Sequence, residues 1–310
     1  MRMFLLPIAA LLSPGSLLAE TRPALSPPEI VAVAPASDWV RIAPADLLVM
    51  DLAPTAASTP RRVVIQLLPA PFSQGWTGNI RKLAAARFWD GTAVVRVQDN
   101  YVAQWGDPEA EDAAKARPLP TDLAVMAESA YTTVLPKGTP VVSGASRGDT
   151  YANRTAFVAG WPVALDRVKT GGAGAWPIHC YGMVGAGRNM SPDTGTGAEL
   201  YAVIGHAPRH LDRNIALVGR VIEGIEHLSS LPRGTGPLGF YETAQERTAI
   251  TAVRLGTELA DLPAYEYLFT ESASFARYAD ARANRRDAFF IRPAGGADIC
   301  NIPVPVRRAK

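Results

Sequence analysis

Short apolar runs, each stopped within a few residues by glycine, proline, asparagine or aspartate, dominate this chain and leave few stretches long enough for an amphipathic helix. Residues 47–52, 63–68, 93–98, 101–105, 181–187, 199–204, 215–221 and 250–255 all read as strands on this pattern. The Pro/Thr/Ser-rich turn between the first two favours a hairpin. The expected class is mainly all-β, and closure suits a sheet of many short strands because it removes exposed edges. With 310 residues and 48% hydrophobic content, the chain can bury a substantial core.

Helical patterns are fewer. In residues 79–88, Ile80, Leu83, Ala84 and Phe88 fall near helical spacing with Arg81 and Lys82 outside. A short helix is expected around 121–130, a helical turn at 223–231 and a helix-like stretch at 265–283. Residues 108–176 open on the acidic run 109–112, close on the glycine-rich 171–174, and read as an insertion carrying short strands. Residues 20–38, rich in Pro, Ala and Ser, have no sustained period and read as a tether, with ordered structure starting near Trp39.

Residues 1–19 read as a secretory signal, with Arg2, the apolar run 3–12 and a small Ala19 after which cleavage is expected. The apolar run is shorter than the ~20 residues a spanning helix needs, which disfavours a retained anchor. The expected compartment is therefore periplasmic or secreted. Loss of Arg2 takes the formal charge from +2 to +1 and leaves no dominant basic block, so nucleic acid is not an expected partner. An oxidising compartment makes a disulfide between the two cysteines, Cys180 and Cys300, the economical reading.

Residues 88–108 place Arg96 between a turn and a second apolar run, with no histidine, cysteine or closely paired carboxylates. An arginine that does not deprotonate is no general base, but it can hold a fixed charge and a planar fork of donors against a polarising atom. Gly144-Ala145-Ser146-Arg147-Gly148 matches G-x-S-x-G. The β-favouring residues that follow at 149–159 make Ser146 part of a polar turn, and a serine hydrolase the lesser alternative. His206 and His210 are four apart, yet Pro208 opposes the helix that would align them, and no metal site is expected. The glycines at 171–174 follow Lys169 and Thr170 instead of preceding a Lys-Ser or Lys-Thr pair, so no phosphate cradle and no cofactor is expected.

The order of apolar strand, helix, Trp89-Asp90-Gly91-Thr92, Arg96, Tyr101-Val102, Gln104 and Gly106-Asp107 resembles the central signature of the cyclophilin family of peptidyl-prolyl cis-trans isomerases. Gly182-Met183-Val184-Gly185-Ala186-Gly187-Arg188 is similar to the family's glycine-rich strand, followed by Pro192-Asp193 and Gly197-Ala198-Glu199-Leu200-Tyr201. Leu211-Asp212-Arg213-Asn214 and residues 217–224 are similar to its Leu-Asp-Gly turn and the strand after it. The resemblance implies a closed eight-stranded antiparallel barrel with capping helices over 46–257, interrupted at 108–176, with extensions at 20–45 and 258–310. It further implies isomerisation of X-Pro bonds, here in exported polypeptides, with Arg96 catalytic and no cofactor. Tyr101, Val102, Gln104, Ala186, Gly187, Glu199, Tyr201, His210 and Leu211 are its implied substrate-binding residues.

Several positions depart from the family pattern. Val94-Val95 replace a Phe-His pair, Trp105 replaces a glycine, Ala198-Glu199 replace Ser-Gln, and His210 stands near a position occupied in some members by tryptophan. Glu199 lacks an amide donor and could pair with Arg96, either holding it in place or occupying it. Val95, Glu199 and Trp105 favour the alternative of a catalytically weak proline-peptide binding or chaperone module.

Overall fold

The computed structural model describes residues 24–55, 57–144, 148–167 and 173–310; residues 1–19, read above as a secretory signal, and Ser146 lie outside the described residues. Strand β1 (Trp39–Arg41) precedes the barrel, which β2 (Leu47–Leu52), β3 (Arg61–Leu67), β4 (Ala93–Val97) and β5 (Val102–Gly106) enter. The insertion supplies β6 (Thr133–Val134), β7 (Arg154–Val158), β8 (Trp161–Arg167) and β9 (Ala173–Pro177). The chain returns to the barrel with β10 (Met183–Ala186), β11 (Leu200–Val203), β12 (Leu217–Glu223) and β13 (Thr248–Leu255), and the tail adds β14 (Tyr265–Leu268) and β15 (Val306–Arg308). Around the barrel the order is β10-β11-β5-β4-β13-β2-β3-β12, and β12 closes antiparallel onto β10.

Strand alternation fills the interior. Leu48, Met50 and Leu52 of β2 meet Val63, Ile65 and Leu67 of β3 in one cluster with Val97, Ala103, Trp105, Ala202 and Val253. Val49 and Val64 point outward, yet they too are buried, beneath Ile42 and Tyr265. Burial on both faces explains why these strands read as continuous apolar runs. The outer cover is a three-stranded sheet in which β14 pairs with both β1 and β15.

Helix α1 (Pro27–Ala32) lies inside the segment read as a tether and buries Ile30 in the cluster that also holds Phe275 and Tyr278 of the tail. Helix α2 (Gln74–Ala85) caps the barrel with Trp76, Ile80, Leu83 and Ala84, and begins a turn before the expected 79–88. Gly75 and Gly78 weaken helical propensity there, and burial of Trp76 overrides it. The helix expected around 121–130 is absent: only Glu128–Tyr131 forms a 3-10 turn. Instead, the Asn79 amide donates to the Ala124 carbonyl and accepts from its N–H, both at 2.8 Å, giving that extended segment the partners a helix would have supplied. The short helix α3 (Glu226–Ser229) occupies the expected 223–231 turn. The stretch 265–283 divides into β14 and helix α4 (Ala273–Ala283), because Ser272 caps the helix by accepting the Phe275 N–H at 3.1 Å.

The insertion forms a four-stranded sheet in the order β6-β9-β8-β7 and packs between barrel and tail. Phe157 of β7 meets Phe275 of α4 edge-on with ring centroids 5.0 Å apart. Cys180 and Cys300 are joined in a disulfide that ties the barrel to the tail across a separation of 120 residues. Arg220 of β12 is buried where all three parts meet. Its Nε and Nη2 donate to Gln66 Oε1 at 3.0 and 2.7 Å, its Nη1 donates to the Gly160 carbonyl at 2.8 Å, and its guanidinium lies 4.3 Å from the Trp161 ring centroid and 5.8 Å from that of Tyr267. Burial lowers its pKa to about 10, so the group remains a cation at neutral pH.

Candidate active site

The β4–β5 hairpin places Arg96. A register shift between Val94 and Arg96 sets two β4 residues against one of β5, and Arg96 emerges opposite Gln104. On β5, Ala103 and Trp105 face the core while Val102 joins Tyr201 and Val203 in an outer cluster. Trp105, in place of the family's glycine, therefore fills barrel interior and leaves the outer face clear.

The half-buried Arg96 guanidinium is held from three sides. Nε donates to the Leu238 carbonyl at 2.8 Å, Nη1 donates to Gln104 Oε1 at 2.9 Å, and Nη2 donates to Gln98 Oε1. The charge lies 5.6 Å from the Tyr101 ring centroid and 5.1 Å from that of Phe240. Burial pulls its pKa below the usual arginine value, while Tyr101 and Glu199 oppose that shift. Leu238 and Phe240 escaped the sequence reading. They belong to a loop docked on β4 by the Tyr241 N–H donating to the Val95 carbonyl at 2.9 Å, a contact without a local sequence signal.

Beside Arg96 is a pocket of about 100 Å³ walled by Tyr101, Val102, Gln104, Tyr201 and Leu211, with Gly187, Arg188 and Ile215 at its margin. Arg188 and Ile215 are additions to the residues read from sequence. Ala186 lies elsewhere: strand alternation turns it into the barrel core, where it is fully buried. His210 is exposed and stacks on Tyr101, with centroids 6.3 Å apart and planes 10° from parallel.

Glu199 reaches Arg96 through Gln104, whose Nε2 donates to Glu199 Oε1 while its Oε1 accepts from Arg96. One amide thus links cation and carboxylate by using both of its ends. Burial, with help from Glu111, raises the Glu199 carboxyl above the usual range, against the opposing hydrogen bond from Gln104. Gly187 makes room for this carboxylate, since a Cβ at that position would lie 2.9 Å from Glu199 Oε1.

Behind Tyr201 runs a buried polar chain. The Tyr201 hydroxyl is 2.8 Å from His179 Nε2, His179 Nδ1 is 2.9 Å from Asp212 Oδ1, and Arg209 Nε donates to Asp212 Oδ2 at 2.7 Å. Arg209 also binds Asp149 with two nitrogens, at 2.7 and 3.0 Å. Burial lowers the His179 pKa despite Asp212, which favours a neutral ring. We assign the proton to Nδ1, facing Asp212, so that Nε2 accepts the Tyr201 hydroxyl. The ring of Tyr201 lies across Gly185, where a Cβ would come within 2.3 Å of its hydroxyl. Tyr201→Phe leaves His179 Nε2 buried without its partner, and is expected to lower stability by about 1–3 kcal/mol, read from the urea midpoint at unchanged m.

A sequence model described as "Cyclophilin type peptidyl-prolyl cis-trans isomerase/CLD" matches residues 61–254. The chain belongs to this family, whose members are generally peptidyl-prolyl cis-trans isomerases that bind proline-containing peptides. The crystal structure of the cyclophilin AquaCyp293 from Hirschia baltica superposes with a TM-score of 0.67 at 21% identity, covering 87% of this chain and 92% of that one, a likeness of fold. A cyclophilin-type isomerase from Cryptosporidium parvum aligns at 10% identity with a TM-score of 0.39, covering 67% of this chain and 97% of its own. No curated protein matches. Among the described residues, no helix is long and apolar enough to cross a membrane.

Proposed function

We propose that this protein is a peptidyl-prolyl cis-trans isomerase of exported polypeptides, in which Arg96 stabilises the twisted X-Pro amide. The observation that carries this reading is a guanidinium clamped by three acceptors at the rim of an apolar pocket. Rotation about the bond must break amide conjugation, a barrier of ~18–20 kcal/mol, without changing any covalent bond. As conjugation is lost, the nitrogen gains lone-pair density. Arg96 commits three of its N–H groups to Gln98, Gln104 and Leu238, leaving two of the five on a guanidinium to meet that density. The clamp fixes the charge before the amide twists, so little reorganisation is needed in the transition state. Val102, Leu211 and the Tyr101 and Tyr201 rings receive the proline ring.

An isomerisation assay on protein lacking residues 1–19, run beside Arg96→Ala, tests the reading, and no rate enhancement by the parent would sink it. Export is tested by N-terminal sequencing of the cell-derived protein, which should begin at Glu20.

A second reading, a weakly active proline-peptide binder, draws on the fact that both ends of the Gln104 amide are already engaged. Glu199→Gln decides how much activity this arrangement withholds. The substitution keeps an acceptor for Gln104 and removes the negative charge near Arg96, so kcat/KM should rise by about three- to tenfold, equivalent to ~0.7–1.4 kcal/mol. Protonation of Glu199 in the parent has the same sign. Activity should therefore fall as pH rises through the elevated Glu199 ionisation, and that limb should vanish in Glu199→Gln.

A further inference from the structure

A second cleft, of about 630 Å³, has no part in the chemistry above. Its walls come from all three parts of the chain: Asp149 and Tyr151 from the insertion, Tyr181 and Arg209 from the barrel, and Asp298 and Cys300 from the tail. Among its charges, Arg209 is already met by Asp149 and Asp212. Asp298 is exposed, caps a 3-10 turn by accepting the Cys300 N–H at 2.8 Å, and has no cationic partner among the described residues. Among the described residues, the cleft therefore carries a carboxylate that no ion pair engages, with His206 the remaining titratable nitrogen of its lining.

The aromatic walls have a matching preference. Tyr151 already has Arg209 over its ring at 5.0 Å, whereas Tyr181 is 51% exposed and has no ring or cation contact among the described residues. The disulfide brings Tyr181 and Asp298 together, since Tyr181 follows Cys180 directly and Asp298 lies two residues before Cys300. A free carboxylate beside an uncovered aromatic ring suits a cationic side chain.

One loop joins this cleft to the proline pocket. Arg209 lines the cleft, while the next two residues, His210 and Leu211, stack on Tyr101 and wall the pocket. The loop is pinned beside Tyr101 by the His206 N–H, which donates to Asn100 Oδ1 at 2.9 Å. The buried chain from Tyr201 through His179 and Asp212 ends on Arg209 and Asp149, so both cavities share one hydrogen-bonded frame.

We propose that the cleft is a subsite for a lysine or arginine side chain of the substrate, flanking the proline, with its cation paired to Asp298 and its stem or head on Tyr181. The proposal rests on the isomerase reading for the identity of the polypeptide, and its test separates the two. Prolyl peptides identical except for Lys, Ala or Glu placed two to five residues to either side of the proline are compared at low and high salt. At one placement Lys should exceed Ala in kcat/KM by about five- to twentyfold, Glu should fall below Ala, and salt should shrink the difference.

Asp298→Asn, which keeps a capping side chain, and Tyr181→Ala should each bring the Lys preference within twofold while leaving the Ala peptide's rate unchanged. A parent that turns over the Ala peptide but shows no Lys preference at any placement would overturn the subsite, as would a preference that survives in Asp298→Asn. If the parent turns over no peptide, the isomerase reading fails and equilibrium binding of the same labelled peptides decides the subsite. Tighter binding of Lys than Ala, lost in Asp298→Asn, then supports it, and equal binding overturns it.

Discussion

Arg96→Ala is expected to lower kcat/KM for a prolyl peptide by about 10²–10³-fold, the scale seen when one preorganised donor to a developing charge is removed. The loss should fall on kcat with KM nearly unchanged, because Val102, Leu211 and the two tyrosines that hold the proline remain in place. Arg96→Lys should recover only part of the rate. Its point charge stays, but an ammonium on a flexible stem does not reproduce the planar fork that engages Gln98, Gln104 and the Leu238 carbonyl. Near-neutral stability is expected for both variants, since the site is half exposed and the released acceptors can reach water. Rates within threefold of the parent in both would mean that charge at position 96 does not set the barrier.

Replacing Cys180 and Cys300 together with alanine should destabilise the fold by about 5 kcal/mol, on the chain-entropy treatment of a loop of this length. The large figure follows from the 120-residue separation, because the unfolded chain loses most freedom when distant positions are joined. In the folded state the tail has other attachments, including β14 on β1 and α4 against the insertion, so the native structure should persist near neutral pH. Guanidinium unfolding of parent and variant measures the difference. A loss below about 1 kcal/mol would show that the unfolded chain keeps these regions together without the bond.

Much of the barrel was legible because its strands announce themselves through turn residues at their ends and apolar alternation within. The same alternation decides Ala186. It is the neighbour of the outward Gly185, and its inward direction follows from the period of the strand, whereas motif correspondence assigned it to the pocket. Less accessible were groups joined only by the fold. His179 meets Asp212 across 33 residues, and Arg209 meets Asp149 across 60, so no local spacing connects them. The sequence suggests a direct pair between Glu199 and Arg96, whereas the register of β5 on β4 and β11 puts Gln104 between the two charges. At 121–130 the expected helix does not form, and the Ala124 backbone is bonded instead by the Asn79 amide, a partner more than forty residues away.

The environment of Arg220 restricts how this chain can change over evolutionary time. Its guanidinium is solvated by the barrel, the insertion and the tail together, through Gln66, Gly160, Trp161 and Tyr267. Loss of the insertion would take the Gly160 carbonyl and the Trp161 ring from this guanidinium and open it to water beside Gln66 and the tail's Tyr267. Grafting the insertion onto a plain barrel would therefore call for Arg220 and Gln66 in the receiving wall, to meet the Gly160 carbonyl and the Trp161 ring.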